Sequence, residues 1–211
     1  MNTKLNKQKL IIIGAALVIV TAVVGYLLYK SYTPNTVDEG TLKMIEDKTY
    51  GITFSFNEGE NDFTVVEPPE NQAGIQKSYI LLPTKAYNEY KESESISDAP
   101  ASMNVFILTL QEEGNTENAS SAERVDRMTR LKDWAVRFDG LTQYSKKKAE
   151  PEEVEIDGLK ALKYQTDGLY KQNIYLTTYK NNVYMFVSQY NEESDVTRTA
   201  FDALLTSVSF K

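Results

Sequence analysis

The 211-residue chain contains no cysteine and no histidine. Without cysteine it cannot form a disulfide, a thiolate zinc site, an iron–sulfur site or a cysteine nucleophile. Without histidine it lacks the Ser–His and Cys–His nucleophile systems, and the side chain best suited to proton transfer near neutral pH. Catalysis by this chain would therefore depend on carboxylates, lysine, tyrosine, hydroxyl groups or a metal bound without histidine.

Acidic residues are absent from the N-terminal part of the chain. Residues 1–34 hold four lysines and no acid, a charge of +4, so the rest of the chain carries −11 to give the net −7. An uncharged run of 19 residues, Leu10 to Leu28, follows Lys9 and has Thr21 as its only polar side chain. As a helix this run would be about 28 Å long, close to the hydrocarbon thickness of a bilayer. It predicts a transmembrane helix.

The flanking charges predict the orientation of this helix. Three lysines precede it, and Lys30 alone follows closely, so the positive-inside rule places the N-terminus in the cytoplasm and the rest outside. The alternative is a signal peptide cleaved after Ala22, which would leave a secreted domain. The apolar residues beyond Ala22 favour a retained, single-pass anchor. The predicted parts are a cytoplasmic basic tail (1–9), a transmembrane helix (10–29), a linker (30–41) and an extracytoplasmic domain (42–211).

Alternating apolar residues predict strands in the domain. Ile52, Phe54 and Phe56 alternate with small polar residues, and Met103–Leu110 is apolar enough for a central strand covered on both faces. Towards the C-terminus, Asp167-Gly168 and Lys180–Asn182 predict tight turns. They join three segments into an antiparallel meander: Leu159–Thr166, Lys171–Tyr179 and Val183–Tyr190.

Two helices complete the predicted fold. The capping box Ser120–Glu123 precedes a helical apolar pattern that runs to Phe138, and Gly140 is placed to end this helix in left-handed geometry. A second helix is predicted over Asp195–Leu205, followed by a short strand, Ser207–Phe210. The fold class is therefore α+β, with a mainly antiparallel sheet covered by helices.

Residues 42–211 resemble the PsbP/Mog1-like α/β/α sandwich family. The matching segments are Tyr50–Phe56, Asp157-Gly158, Tyr184–Phe186 and Phe201–Phe210. Photosynthetic members assist the oxygen-evolving complex, and the nucleocytoplasmic member binds a small GTPase. The resemblance thus implies a non-enzymatic binding or assembly accessory, here a small membrane-anchored bacterial member. Unlike the plant proteins, this chain has no histidine and keeps a membrane anchor. No metal or cofactor contact of the plant proteins is therefore carried over, and no cofactor is predicted.

No metal site is predicted, and one acidic stretch is the candidate for one. Along a strand, Glu153, Glu155 and Asp157 would share one face, and such carboxylates could bind Ca²⁺. The simpler interpretation is an outward face that keeps an edge strand unpaired. The acidic segment Asn57–Asp62 lacks the spacing of an EF-hand and is predicted to be a hairpin turn.

Ser145–Lys148 contains S-x-x-K, but we interpret it as a solvated basic loop because it follows a helix instead of beginning one.

Tyrosines are concentrated in the meander. On an exposed sheet face they would form a ligand surface, whereas cross-strand pairing would use them for packing alone. The negative charge of the domain argues against nucleic acid as a partner. The candidate ligand surface consists of Tyr164, Tyr170, Tyr175, Tyr179 and Tyr184.

The sequence favours a membrane-anchored, extracytoplasmic binding or assembly-accessory domain without catalysis, whose partner is a protein or a small ligand. A first alternative is a carboxylate- or Ca²⁺-dependent hydrolase acting on cell-envelope material. A second is a structural envelope spacer. An enzyme would need convergent polar residues, which the sequence does not show.

Overall fold

The computed structural model describes residues 40–68, 74–93, 99–110 and 127–211. Gly40–Lys211 forms one compact unit. In the described ranges, no helix has both the length and the apolar character to cross a membrane. The predicted tail, the span Leu10–Leu28 and residues 30–39 of the predicted linker lie outside the described residues, as does the capping box Ser120–Glu123. Thr41, predicted to end the linker, is the first residue of a strand.

The described residues contain ten strands, four α-helices and a 3₁₀ turn. The helices are α1 (Thr84–Glu92), α2 (Arg127–Arg137), α3 (Asp139–Thr142) and α4 (Val196–Ser207), and the 3₁₀ turn is Tyr144–Lys146. The strands are β1 (Thr41–Asp47), β2 (Ile52–Glu58), β3 (Phe63–Val66), β4 (Ile75–Pro83), β5 (Met103–Thr109), β6 (Glu152–Ile156), β7 (Leu159–Asp167), β8 (Lys171–Tyr179), β9 (Asn182–Tyr190) and β10 (Ser209–Phe210).

The strands form one sheet in the order β1-β2-β3-β4-β5-β9-β8-β7-β6, and β10 pairs with β2. All pairs are antiparallel except β2 and β3, which are joined by the single parallel pair Glu58–Phe63. The centre of the sheet is the pairing of β5 with β9, which brings Met103 opposite Ser188. The meander β7-β8-β9 thus joins the N-terminal strands through β5.

The two sheet faces carry separate hydrophobic cores. On the first face, α4 packs over β2, β4 and β9; on the second, α2 packs over β7 and β8. Successive strand residues point to opposite faces, so each central strand supplies both cores. First-face core residues include Ile52, Phe54, Phe56, Val105, Phe186 and Phe201. Second-face core residues include Leu108, Leu131, Trp134, Leu162, Leu176 and Met185. Helices on both faces make the domain an α/β/α sandwich.

The strongest sequence patterns are confirmed. The predicted central strand is β5, which pairs on both edges, and the three meander strands pair in the predicted order. The second predicted helix is α4, which continues to Ser207, and the terminal strand is shortened to Ser209–Phe210. Trp134 is buried on α2, with its ring 4.7 Å from that of Phe138.

Three turn predictions were wrong in their geometry. Gly140 lies inside α3, and the left-handed residue at the end of that helix is Gln143, with φ of 50°. In the turn between β8 and β9 the left-handed residue is Lys180 instead of an asparagine. The β7–β8 connection has three residues, because Asp167 stays in the strand opposite Lys171.

The helices α1 and α3, the 3₁₀ turn and strand β1 were not predicted, and one connection was predicted wrongly. The segment after Pro83 forms α1, a polar helix with no buried side chain, so the sequence carried no apolar pattern to reveal it. Strand β1 was not predicted, and it pairs with β2 at the sheet edge. The segment Asn57–Asp62, predicted as a hairpin turn, instead contains the last two residues of β2 and the connection to β3, and these two strands do not form an antiparallel pair.

The turn between β1 and β2 requires glycine. Gly51 has φ of 67°, and a Cβ atom there would lie 2.5 Å from the carbonyl oxygen of Lys211. The Lys211 amide in turn donates to the Gly51 carbonyl over 2.9 Å. The turn therefore fixes the C-terminal residue beside the start of β2.

Candidate functional site

A cleft of about 600 Å³ opens on the second face of the sheet, beside α3. Its floor is formed by second-face side chains of β4, β5 and β9: Ile80, Phe106, Met185 and Val187. Met185 lies opposite Phe106 in the β5–β9 pairing, and Val187 lies opposite Asn104. The floor is therefore apolar and rests on the most central strands of the fold.

Carboxamide groups surround the apolar floor. Asn104 of β5, Gln172 of β8 and Gln189 of β9 line one end of the cleft, and Gln143 lines the side formed by α3. Gln172 and Gln189 lie directly opposite each other in the β8–β9 pairing. Each carboxamide offers both donors and acceptors, so this end of the cleft can bind neutral polar groups.

A hydrogen-bond network holds two of these amides in place. Asn104 is 5% exposed, and its Nδ2 donates to Ser102 Oγ over 2.9 Å. Ser102 Oγ donates to Gln189 Oε1, also over 2.9 Å, and the backbone N–H of Gln189 donates to the backbone carbonyl of Ser102 over 2.8 Å. No hydrogen bond between described residues uses Asn104 Oδ1 or Gln189 Nε2. An acceptor and a donor are thus left for a ligand.

The rim of the cleft is formed by the β7–β8 turn and the residues before β5. Tyr170 Oη donates to the Ala99 carbonyl over 2.9 Å, which ties the turn to the segment preceding Pro100. Leu169 projects beside it and is 67% exposed. An exposed leucine at the edge of an apolar floor extends the apolar surface beyond the cleft.

The described residues that line the cleft include no Asp, Glu, Lys or Arg. This is unusual for a chain in which 25% of residues are charged. Charged side chains close to it pair with each other instead. Lys148 Nζ lies 2.6 Å from Asp167 Oδ2, and Lys147 Nζ lies 3.8 Å from Glu150 Oε1. The cleft therefore suits an uncharged ligand.

The tyrosines predicted to form one ligand surface are divided between the two faces. Tyr164 is buried in the second-face core, where its Oη donates to the Thr142 carbonyl over 2.9 Å. Tyr184 is buried in the first-face core, and Tyr175 and Tyr179 pack against that core. Tyr170 lines the cleft, and the five rings do not form a single surface. Whether any of them binds a ligand stays a prediction.

Burial keeps several of these phenols neutral. Burial is the main cause that raises the pKa of Tyr164, Tyr175 and Tyr184 above the usual value. For Tyr79, burial and then the hydrogen bond from its Oη to Asp47 Oδ2, 2.7 Å long, raise the pKa. Tyr164, Tyr175 and Tyr184 belong to the predicted ligand surface. Their raised pKa values fit side chains used for packing better than groups that transfer protons.

The predicted carboxylate site is dispersed. Glu153 and Glu155 are exposed on the edge strand β6, and Glu153 lies 3.8 Å from Lys160 Nζ. Asp157 lies beyond the strand, in a turn with φ of 48°, and its Oδ2 accepts the Phe210 amide over 2.7 Å. Among the described residues, no three acidic side chains are grouped so that they could hold a metal ion.

We expect Ca²⁺ to have little effect on stability. A native-state site with a dissociation constant one hundredth of the Ca²⁺ concentration would stabilise the fold by about 2.7 kcal/mol, which is about 5–10 °C in melting temperature. Because the acids are dispersed, millimolar Ca²⁺ should shift the melting temperature by less than about 1 °C. A shift of several degrees would contradict this, if it disappears when Glu153, Glu155 and Asp157 are changed to their amides.

The S-x-x-K segment does not bring its serine and lysine together. Ser145 Oγ donates to Asp139 Oδ2 over 2.7 Å, and the Ser145 amide donates to Asp139 Oδ1 over 2.6 Å. These hydrogen bonds lower the pKa of the Asp139 carboxyl. Lys148 pairs with Asp167 instead. The segment therefore begins in the 3₁₀ turn and is held by hydrogen bonds to Asp139, whereas the sequence predicted a solvated basic loop.

Sequence reasoning missed the cleft, although a signal for it was present. Asn104 and Gln189 continue the alternating apolar positions of β5 and β9 that face the second core. Amides at inward positions of central strands are costly unless they are hydrogen-bonded. Such positions mark a place where the apolar face gives way to a polar one.

Neither family models nor curated proteins match the chain. Among solved structures, the domain is similar to the solution structure of cyanobacterial PsbP (CyanoP) from Synechocystis sp. PCC 6803, with a TM-score of 0.48 and 14% sequence identity. The similarity covers 85% of this chain and 98% of that one.

Proposed function

We propose that this chain is a non-catalytic binding or assembly-accessory domain, and that the cleft on the second sheet face is its ligand surface. The observation that supports this best is the uncharged lining of a cleft about 600 Å³ in volume. Ligand sites of about 300–1,000 Å³ with apolar walls and a few convergent polar groups are typical of specific binding. The amides of Asn104 and Gln189 supply those groups.

The groups near the cleft favour binding over catalysis. The chain has no histidine or cysteine, and a carboxylate serving as general acid needs a raised pKa. The pKa of Asp139, beside the cleft, moves in the opposite direction because Ser145 donates two hydrogen bonds to it. The lowered pKa makes Asp139 a weak base, so the hydrogen bond from Ser145 to this carboxylate does little to activate the serine as a nucleophile.

Anchoring at a membrane is the second part of the proposal and rests on the sequence. The uncharged run Leu10–Leu28, with three lysines before it, would hold the domain on the outer side of the membrane. The ligand would then be an envelope component or a partner at the same membrane surface. The PsbP/Mog1-like resemblance of residues 42–211 supports an accessory role of this kind.

Protease accessibility tests the orientation. Protease added to intact spheroplasts of an expressing bacterium should remove the domain beyond about residue 35, and leave a short membrane-bound fragment with the basic tail. Protection of the domain would contradict the orientation. A mature N-terminus near Val23 would instead establish signal-peptide cleavage and a secreted domain.

Charge substitutions test the cleft as a binding surface. Gln172→Glu preserves the shape of the side chain but places a carboxylate in the uncharged cleft, where desolvating it on ligand binding is costly. Asn181→Asp is the matched control, because Asn181 is exposed in the turn at the other end of the β8–β9 hairpin. After chemical crosslinking in intact membranes, we expect adducts of the parent chain to be lost with Gln172→Glu and retained with Asn181→Asp. Equal adducts from both variants would contradict the proposal, and no adduct from any chain would favour a spacer.

A further inference from the structure

The geometry points to a short, extended and uncharged polypeptide segment with apolar side chains as the occupant of the cleft. This inference rests on the proposed binding function and specifies its ligand. Three features of the cleft support a peptide ligand separately: the polar groups at its end, the aliphatic character of its floor and its lack of charge. Each of them has a counterpart in the chemistry of a peptide chain.

The polar end of the cleft presents one acceptor and one donor. Because Asn104 Nδ2 is used by Ser102 and Gln189 Oε1 accepts from Ser102, the groups left over are Asn104 Oδ1 and Gln189 Nε2. A peptide group offers one N–H donor and one C=O acceptor. A backbone segment can therefore donate its N–H to Asn104 and accept from Gln189, which satisfies a side chain that is only 5% exposed.

The floor of the cleft is mainly aliphatic. Ile80, Met185 and Val187 form it together with a single aromatic ring, that of Phe106. Aliphatic and thioether surfaces pack against apolar side chains through area burial, and methionine adapts to different shapes. A carbohydrate would present hydroxyl groups to this floor and leave them without hydrogen-bond partners. The floor thus favours a peptide over a sugar.

The absence of charge selects among peptides. A charged side chain in the cleft would lose hydration and find no opposite charge in the described lining. The chain beyond residue 34 as a whole is acidic, with a net charge of −11. A partner segment that is uncharged where it enters the cleft, and basic on either side of that part, would therefore be complementary to the uncharged cleft and to the acidic domain.

Methyl NMR of the full chain in detergent micelles tests this inference. With methionine methyl groups labelled, Met185 reports on the cleft floor, whereas Met103 lies in the first-face core and Met128 lies on α2, buried in the second-face core. The probes are end-blocked tetrapeptides of Val, Leu, Ala and Gly, the same peptides with one Asp, and chitotriose as a neutral oligosaccharide. We expect the uncharged peptides to shift Met185 in a saturable manner, without shifting Met103 or Met128, and the Asp peptides to bind at least tenfold more weakly.

Two variants test the assignment of the backbone contacts. Gln189→Leu removes the donor from the cleft and should weaken uncharged-peptide binding roughly tenfold. Gln76→Leu is the control, because Gln76 bonds to Thr109 outside the cleft, and it should leave binding unchanged. Unchanged Met103 and Met128 signals in the free variants show that the fold is intact.

The outcomes separate the two proposals. A shift of Met185 by chitotriose and not by the uncharged peptides would overturn the peptide inference while leaving the cleft as a binding site. Equal peptide affinity in Gln189→Leu and the parent chain would also overturn it. If no probe shifts Met185, the peptide inference fails, and the crosslinking of Gln172→Glu against Asn181→Asp then decides whether the proposed function fails with it.

Discussion

Replacing Phe201 with alanine should destabilise the domain by about 3–5 kcal/mol, a large part of the 5–15 kcal/mol that holds a typical domain folded. Phe201 is fully buried on α4 and packs edge-on against Tyr175, with ring centroids 5.7 Å apart. The alanine would leave a cavity between the helix and the first sheet face. This is the largest effect expected from any single substitution considered for the domain.

Urea unfolding of residues 40–211, followed by circular dichroism, measures this effect. Val196→Ala is the matched control, because Val196 lies on the same helix and is 48% exposed, so its cost should stay within about 0.5 kcal/mol. If Phe201→Ala shifts the midpoint no further than Val196→Ala, α4 does not cover the first face in the way described.

Alkaline pH should produce the second large effect, a steep loss of stability above about pH 10. Burial raises the pKa of several phenols in the folded state, among them Tyr79, Tyr164 and Tyr184. A raised folded-state pKa means that this stability is fully present below the unfolded value of about 10 and is lost as pH rises towards the folded value. Each such tyrosine contributes a slope of about 1.4 kcal/mol per pH unit in that window.

Tyr79→Phe tests whether buried phenols with raised pKa values cause the loss of stability at alkaline pH. It removes one titrating phenol together with the hydrogen bond to Asp47, so the variant should be less stable at neutral pH and should lose stability less steeply above about pH 10. Unfolding free energies measured by urea titration at several pH values, with phenolate absorbance recorded in parallel, would show both changes. A free energy that stays constant from about pH 9 to about pH 12 would contradict the raised pKa values.

The sequence predicted those elements whose apolar pattern extends over many residues. Strand β5 and the meander were found because alternating residues reflect burial on one or both sheet faces. The helix α4 was found because Phe201 and Leu204 recur at helical spacing. By contrast, α1 has no fully buried side chain, so its sequence carries little of the apolar pattern that marks a packed helix.

Turn geometry and the cleft could not be predicted from local sequence. Lys180 and Gln143 adopt left-handed conformations that short-range preferences assign to glycine or asparagine. The cleft brings together side chains from four strands and α3, and that proximity depends on the strand order β4-β5-β9-β8. In the same way, Asp157 leaves the face of Glu153 and Glu155 because a turn begins there.

Site-specific photo-crosslinking tests the central claim, that the cleft is where this domain binds its partner. A benzophenone amino acid replaces Leu169 at the rim of the cleft in one variant, and Val196 on the other sheet face in a second variant. Both native side chains are exposed. After irradiation of intact cells, we expect a discrete adduct from the variant labelled at position 169. This adduct should be lost when Gln172→Glu is added to that variant. The variant labelled at position 196 should give no adduct. Equal adducts from the two positions, or an adduct from position 196 alone, would contradict the cleft as the binding surface.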